Sequence, residues 1–503
     1  MKYRFRTRPY VHQKEALRKL LAQGYGGALL MEPRTGKTKT AVDWLSILSQ
    51  AGKLDRAVII CPARVMSTWL DEALMHSPLR IHVTAWDAEA RSGGLPQVPR
   101  GYDLALLIVN FEAFATPGRK LASGRRSKAS GRFKNRQLIM KWCAGKPAAL
   151  IVDESHKLKS PSGRASNMIV SMGPSFPYRL ILTGTPLTKA KRAFDIYMQW
   201  NFLNPERFKD LPTVADFKDR YGRWTNKNGY PKFLGPRNLK ELHSRISKDA
   251  FFVKREECFD LPPREDIVRF VDLNPRTRKT YVSIAEEMIA EIESGVYATA
   301  SIKLVQNLRL LQLTSGFIAD EERKIHRLSF EKHEALQELL EELFEADQRV
   351  VVAGRWKMDL DAATLLGESL DVPVYSIRGG VPRDVADKGR KAFQTRDEAS
   401  LMVLQPAAAS LGIDLSSAST MVWYSHTPSW VDFTQCCDRI ALSKHSTTFY
   451  HLVARNSVDE ILLNTLREDG DVGKAILTNP RLLLEGHSLP LDHQNKLKGM
   501  GLL

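Results

Sequence analysis

The sequence predicts an α/β fold of two doubly wound parallel-sheet lobes with helical insertions between them. Two observations predict it. Short aliphatic runs alternate with helix-like stretches in two separate blocks, and the first block carries a strand, a loop ending in Gly36-Lys37-Thr38, and a helix. At 503 residues the chain exceeds one ordinary core, and domain sizes favour about two to four domains. The expected division is 1–193 for the first lobe, 194–330 for helical insertions and an inter-lobe linker, 331–470 for the second lobe, and 471–503 for a C-terminal tail.

In the first block the runs are GALLM, AVIICP, LALLIVN, AALIVDES and YRLILTGTP, spread over residues 27–184. Uninterrupted aliphatic runs of this length are the signature of strands buried on both faces, with crossover helices between them. RVVVAGR, PVYSIRG, SLMVLQP, TMVWYSH and TFYHLVA repeat the pattern in the second block, separated by helical segments such as HEALQELLEELFEA. The charged stretch between the blocks, with its Gly/Pro-rich NKNGYPKFLGP and the break FDLPPRED, reads as insertions and linker.

Hydrophobic residues make up 43% and charged residues 26%, as in a packed globular protein rather than a disordered one. No apolar run approaches the ~18 residues of a membrane span, and the opening MKYRFRTRPYVHQKEAL has no apolar signal region. These features predict a cytoplasmic protein without a membrane partner, nucleoid-associated or, if phage-encoded, in the host cytoplasm. The five cysteines (Cys61, Cys143, Cys258, Cys436 and Cys437) are odd in number and lack C-x-x-C spacing, which predicts reduced thiols and neither a disulfide framework nor a zinc site.

The formal charge of +17, from 74 basic against 57 acidic residues, points to a polyanionic partner, nucleic acid above all. Residues 118–136 hold eight Lys or Arg and no acid. They read as a basic loop touching phosphates, with Arg125 and Arg126 as its candidate contacts.

Gly36-Lys37-Thr38 opens a helix directly after a strand. There a phosphate loop directs backbone N–H groups and a lysine at phosphates and a hydroxyl at Mg²⁺. The full pattern G-x-x-x-x-G-K-T departs at its first position, where Met31 stands. In LIVDESH an apolar strand ends in adjacent acids. Asp153 is placed to hold Mg²⁺ and Glu154 to polarise an attacking water, the constellation that phosphoryl transfer requires. ATP and Mg²⁺ are the expected cofactors.

The ordered motifs resemble superfamily 2 helicases, specifically the Snf2 family of double-stranded-DNA translocases, over about residues 8–454. Gln13 in RPYVHQKEAL resembles the adenine-reading Q motif, and EPRTGKT resembles motif I, whose positions here are Arg34, Thr35, Gly36, Lys37 and Thr38, followed by Lys39. VIICPARVMSTWLDEA, with Pro62, Arg64, Trp69 and Glu72, is similar to motif Ia, and Asn110 in LIVNFEAF marks motif Ib. DESH is similar to the DEAH box, and Thr183, Gly184 and Thr185 to motif III. FFVKREECFDLPPRE resembles the stretch between lobes, and VVVAGRWKMDLDA motif IV. Gly412 and Asp414, with Trp430 after them, resemble motif V, and Arg439 in QCCDRIAL resembles motif VI.

The resemblance implies two RecA-like lobes with ATP between them. Lys37, Asp153, Glu154 and Arg439 are then the catalytic residues, Arg439 reaching across to the γ-phosphate. Gln13, Arg34, Thr35, Gly36, Lys37, Thr38, Lys39, Gly412 and Asp414 contact nucleotide, and Thr38 and Asp153 hold the metal. Arg64, Trp69, Asn110, Arg378 and Trp430 touch nucleic acid. The family departures are Met31, Ser410, Asp414 and, at the second motif VI arginine, Leu442, for which Lys444 or Arg455 could substitute.

The implied function is a DNA-dependent ATPase translocating on double-stranded or branched DNA, a monomeric minimal motor of phage or bacterial genome maintenance, in DNA repair or recombination. Replication or repair proteins are compatible partners. A strand-separating helicase, a motor subunit of a restriction or repair complex, and a catalytically weak ATP-gated clamp are the rival readings. No separate nuclease signature and no strand-splitting hairpin is apparent in the sequence.

Overall fold

The computed structural model describes residues 3–115, 131–184, 193–227, 230–259, 264–293, 300–320, 322, 324–409, 413–440, 446–467 and 481–485. They fall into two compact units, residues 1–260 and 261–503.

The first unit runs α1 (Val11–Gln23), β1 (Gly26–Met31), α2 (Lys37–Gln50), β2 (Arg56–Cys61), α3 (Met66–His76), β3 (Ile81–Trp86), β4 (Leu104–Asn110), β5 (Ala148–Asp153) and β6 (Tyr178–Thr183). There follow a hairpin of β7 (Gly222–Lys227) and β8 (Tyr230–Pro236), and then β9 (Ala250–Val253). Seven strands form one sheet in the order β3-β4-β2-β5-β6-β1-β9, every pair parallel.

Alternation along these strands divides their side chains between two cores. Ala28, Leu30, Val58, Ile60, Leu107, Val109, Leu150 and Val152 pack with the helices Arg164–Met172 and Asp195–Leu203 on one face. Leu29, Met31, Ala57, Ile59, Leu106, Ile108 and Ile151 pack with Leu17 of α1, Trp44 and Leu45 of α2 and Trp69 of α3 on the other. Each buried Val, Leu or Ile contributes about 1.5–3 kcal/mol, so a strand covered on both faces can carry apolar residues throughout. The aliphatic runs record this covering.

The second unit contains β10 (Arg264–Val271), a short antiparallel pair β11 (Phe317–Ala319) and β12 (Ile325–Arg327), then β13 (Arg349–Ala353), β14 (Val374–Ile377), β15 (Ser400–Leu404), β16 (Thr420–Trp423) and β17 (Thr447–Ala454). Its sheet has the order β10-β17-β16-β13-β15-β14, again parallel throughout. Two parallel-sheet α/β units are thus present, as the sequence predicts.

The region expected as insertions and linker, 194–330, is divided between the two sheets. β9 lies beside β1, and β10 pairs with β17 along eight residues, from Arg264 opposite Thr447 to Val271 opposite Ala454. Both are edge strands. β10 reads R-E-D-I-V-R-F-V because its outer side needs no apolar cover, and it therefore lacks the uninterrupted run that marks a central strand. β3, with IHVTAW at the opposite edge of the first sheet, escapes the same criterion.

NKNGYPKFLGP, expected as part of the insertions and linker, contributes to the β7–β8 hairpin. Trp224 lies opposite Phe233 across it, with ring centroids 5.2 Å apart, and Phe194 packs on both rings. Aromatic cross-strand pairing stabilises a ribbon whose Gly and Pro content argues against strand.

Candidate nucleotide site

The loop between β1 and α2 is built around a backbone conformation that a side chain would obstruct. Gly36 caps α2 in the left-handed region, φ 81° and ψ 41°, and a Cβ there would stand 2.1 Å from Gln13 Nε2. Arg34 is also left-handed, with φ 68°. Four hydrogen bonds hold the loop. Thr35 Oγ1 donates to the Glu32 carbonyl (2.8 Å), while the Thr35 carbonyl accepts from His12 Nε2 (2.8 Å) and Gln13 Nε2 (3.1 Å). The Glu32 carboxylate accepts from the Arg255 amide (2.9 Å), just beyond β9.

Lys37 directs its ammonium back across the loop, donating to the carbonyls of Met31 (2.7 Å) and Glu32 (3.1 Å). Phosphate oxygens could replace those neutral acceptors with charged ones. The first turn of α2 adds its amides and the positive end of its dipole. Thr38 occupies that same turn, half-buried.

Asp153 ends β5, between β2 and β6 in the sheet. Its Oδ2 accepts from the indole Nε1 of Trp69 (2.8 Å) and its Oδ1 from the Glu154 amide (2.9 Å). Burial and the neighbouring Glu154 charge push the Asp153 carboxyl up, while the Trp69 bond and the Lys37 charge pull it back. Glu154 takes the left-handed conformation, φ 52°, a strained state for a residue with a side chain. Its Oε2 lies 3.1 Å from His156 Nδ1, which is 3.2 Å from the Thr183 hydroxyl. Ser155 turns the other way and donates to Gln199 Oε1 (2.7 Å). Beyond Thr183, a Cβ on Gly184 would reach within 2.8 Å of Pro33, so the end of β6 lies directly against the loop.

A glycine-turned loop, an ammonium and two acids therefore meet at the carboxyl ends of β1, β5 and β6, the edge where ligands gather on parallel sheets. Residues 12–315 match the SNF2-related domain. The chain belongs to the SNF2-related family. Residues 331–442 match the helicase conserved C-terminal domain.

Among SNF2-related relatives, the chain is 24% identical to Protein CHROMATIN REMODELING 4 of Arabidopsis thaliana over 91% of this chain and 20% of that protein. It is 21% identical to the ISWI chromatin-remodeling complex ATPase ISW1 of Saccharomyces cerevisiae over 94% of this chain and 41% of that one. The chain thus spans from a fifth to two-fifths of the length of these curated relatives. The Sulfolobus solfataricus SWI2/SNF2 ATPase core in complex with dsDNA aligns over 99% of this chain and 98% of that one, with 17% identity and a TM-score of 0.41.

Within the SNF2-related frame several expected roles change. Lys39 does not face the loop. It is buried, and its ammonium pairs with Asp43 (2.6 Å), whose other oxygen accepts from the Tyr3 hydroxyl (2.9 Å). Gln13 is buried too, with Oε1 taken by the Tyr10 amide (3.0 Å), so in this structure it braces the loop. Trp69, expected on nucleic acid, is fully buried and bonded to Asp153. Asn110 is buried at the end of β4, its Oδ1 accepting from Arg91 (2.7 Å). Neither Trp69 nor Asn110 presents a surface for DNA.

In the second unit Arg439 is buried, with Nε donating to the Gln435 carbonyl (2.8 Å) and Nη1 to the Ile413 carbonyl (3.2 Å). It ties the helix Trp430–Cys437 to the segment after the motif V glycine, a bracing role inside its own unit instead of the expected reach outward. Asp414 accepts from the Ser416 amide (3.0 Å). Arg378, after β14, pairs with Asp361 (2.5 Å), and Trp430 is half-buried against the core. Arg455, the alternative finger, pairs with Asp272 (3.1 Å).

The loop arginines Arg125 and Arg126, Ser410 and Gly412, Thr185, Leu442 and Lys444, and the Arg64 side chain lie outside the described residues. His12 and His156 had no assigned role in the motif pattern, although both stand inside recognised motifs. Their contribution is a hydrogen bond to a partner distant in sequence, which spacing does not reveal.

Proposed function

We propose that this chain is a DNA-dependent ATPase motor that translocates on double-stranded or branched DNA. The observation carrying this reading is the convergence, in one unit, of the left-handed Gly36 loop, Lys37, and the Asp153–Glu154 pair ending a buried strand.

In this reading the loop amides and Lys37 bind the β- and γ-phosphates of ATP. Thr38 and Asp153 would hold Mg²⁺. A buried carboxyl that its surroundings push towards the neutral form suits a site completed by a cation. When bound, Mg²⁺ neutralises charge on the phosphates. Glu154 orients and polarises the attacking water, with the His156 ring, bonded to Thr183, beside its carboxylate. The +17 balance supports a nucleic-acid track held through phosphates, with little sequence preference and strong salt dependence. A monomer working in the cytoplasm fits this reading.

The test compares ATP hydrolysis without DNA, with single strands and with duplex, alongside displacement of a third strand from a triplex. Lys37→Ala serves as the null control. Duplex should stimulate hydrolysis more than single strands, and the triplex strand should be released. Complete separation of a long duplex at rates matching ATP consumption, with triplex and branched substrates left intact, would replace translocation by unwinding.

A further inference from the structure

We propose that Trp69 is a positioning residue for Asp153: its indole N–H orients the carboxylate that receives the metal–nucleotide complex. The proposal rests on the nucleotide reading above. Trp69 is fully buried in α3, 84 positions from its partner, and reaches Asp153 Oδ2 at 2.8 Å. The second oxygen is held by the Glu154 amide at 2.9 Å. One donor on each oxygen fixes the plane of the carboxylate at the strand end and leaves each oxygen further acceptor capacity. An indole can only donate, so this bond has a single sense at any pH.

Other buried indoles in the same unit show that a tryptophan N–H does not need a carboxylate. Trp86 donates to the Gly94 carbonyl (2.7 Å) and Trp142 to the Pro96 carbonyl (3.2 Å). Trp200 does bond a carboxylate, Asp249 (3.0 Å), but there Arg207 supplies the opposing charge through bonds of 2.7 and 2.6 Å. At Asp153 the indole is a neutral donor. It orients the carboxylate without cancelling its charge, which is what a residue that is to bind a cation requires of its partner.

The test uses the full chain and reads the binding of ADP, by calorimetry, in Mg²⁺ and in EDTA. Mn²⁺ binding to the ADP complex, followed by electron paramagnetic resonance, gives a second readout independent of turnover. Trp69→Phe should reduce the metal-dependent tightening of ADP binding by about 10- to 100-fold, the usual effect of removing a partner of a metal ligand. ADP affinity in EDTA should be unchanged. Trp86→Phe deletes a comparable buried N–H away from the acids and should leave both affinities at the wild-type value.

If Trp69→Phe fails to fold, site-specific replacement of Trp69 by 3-benzothienylalanine removes the donor while keeping the ring shape, and the same loss is expected. Metal dependence equal to wild type in a folded Trp69 variant overturns the proposal and leaves the nucleotide reading standing. A wild-type chain that binds no ADP, with or without Mg²⁺, overturns both.

Discussion

Gly36→Ala tests the architecture of the loop through one methyl group. At φ 81° an alanine costs about 1–2 kcal/mol in the left-handed region. Its Cβ would also arrive 2.1 Å from Gln13 Nε2. Gln13 is not a free side chain that can swing aside, because its amide bonds the Thr35 carbonyl (3.1 Å) and accepts from the Tyr10 amide (3.0 Å). Moving it gives up two hydrogen bonds at about 0.5–1.5 kcal/mol each, so the substitution should cost about 2–5 kcal/mol in total.

Gln13→Ala loses the same two bonds and also clears the space. The double variant should therefore be less destabilised than the singles imply, by about 1–3 kcal/mol, because the two bonds are then lost once and not twice. Native-state hydrogen exchange over residues 10–23 and 37–50 reads the local opening free energy, and ADP binding reports whether the loop survives. Additive losses in the double variant would show that Gln13 does not press on residue 36. Wild-type exchange in Gly36→Ala would refute the loop geometry altogether.

Glu154→Gln should retain ATP binding and slow turnover by about 10²- to 10⁴-fold, the usual contribution of a positioned base. A wild-type rate in steady-state hydrolysis would remove Glu154 from that role. In the second unit Lys332 pairs with Asp459 (2.5 Å), both are buried, and Asp459 also accepts from Thr314 Oγ1 (2.8 Å) and the Ala454 amide (3.2 Å). Lys332→Met strands that carboxylate and should cost about 3–5 kcal/mol in denaturant unfolding, with partial recovery when Asp459→Asn is added. Equal stability of Lys332→Met and wild type would deny the pair its role.

Asp359 is buried beside Ser425 and Ser315, and burial pushes its carboxyl up to about 7. The native state therefore keeps a proton that the unfolded chain releases near pH 4, and stability should fall as pH rises from about 4 to about 7. Forcing the group to ionise costs on the order of 4 kcal/mol. Asp359→Asn should lose this slope and gain relative to wild type above pH 7, as read from melting temperatures across pH. Parallel curves for the two proteins would show that Asp359 is charged throughout.

The aliphatic run before Asp153 and the run before the Gly36 loop were legible because central strands of a covered parallel sheet bury both faces, and that demand is written residue by residue. Gly36-Lys37-Thr38 and Asp153-Glu154 were legible for a related reason. A strand end followed by a tight turn confines these groups to one edge of the sheet whatever else packs around them. Edge strands carry no such demand, which is why the charged β10 passed for linker.

Lys39 is an intermediate case. Two residues along a helix turn the side chain by about 200°, so Lys37 and Lys39 of α2 cannot both face the phosphates. For Trp69, Asn110 and Arg439 no local rule was available. Each sits at a motif position, yet its direction depends on whether a partner distant in sequence (Asp153, Arg91 or the Ile413 carbonyl) stands within 3.2 Å. A motif records which residue types share a site. Whether a side chain faces the ligand or braces a neighbour is decided by long-range hydrogen bonds that exist only once the sheet has brought distant segments together.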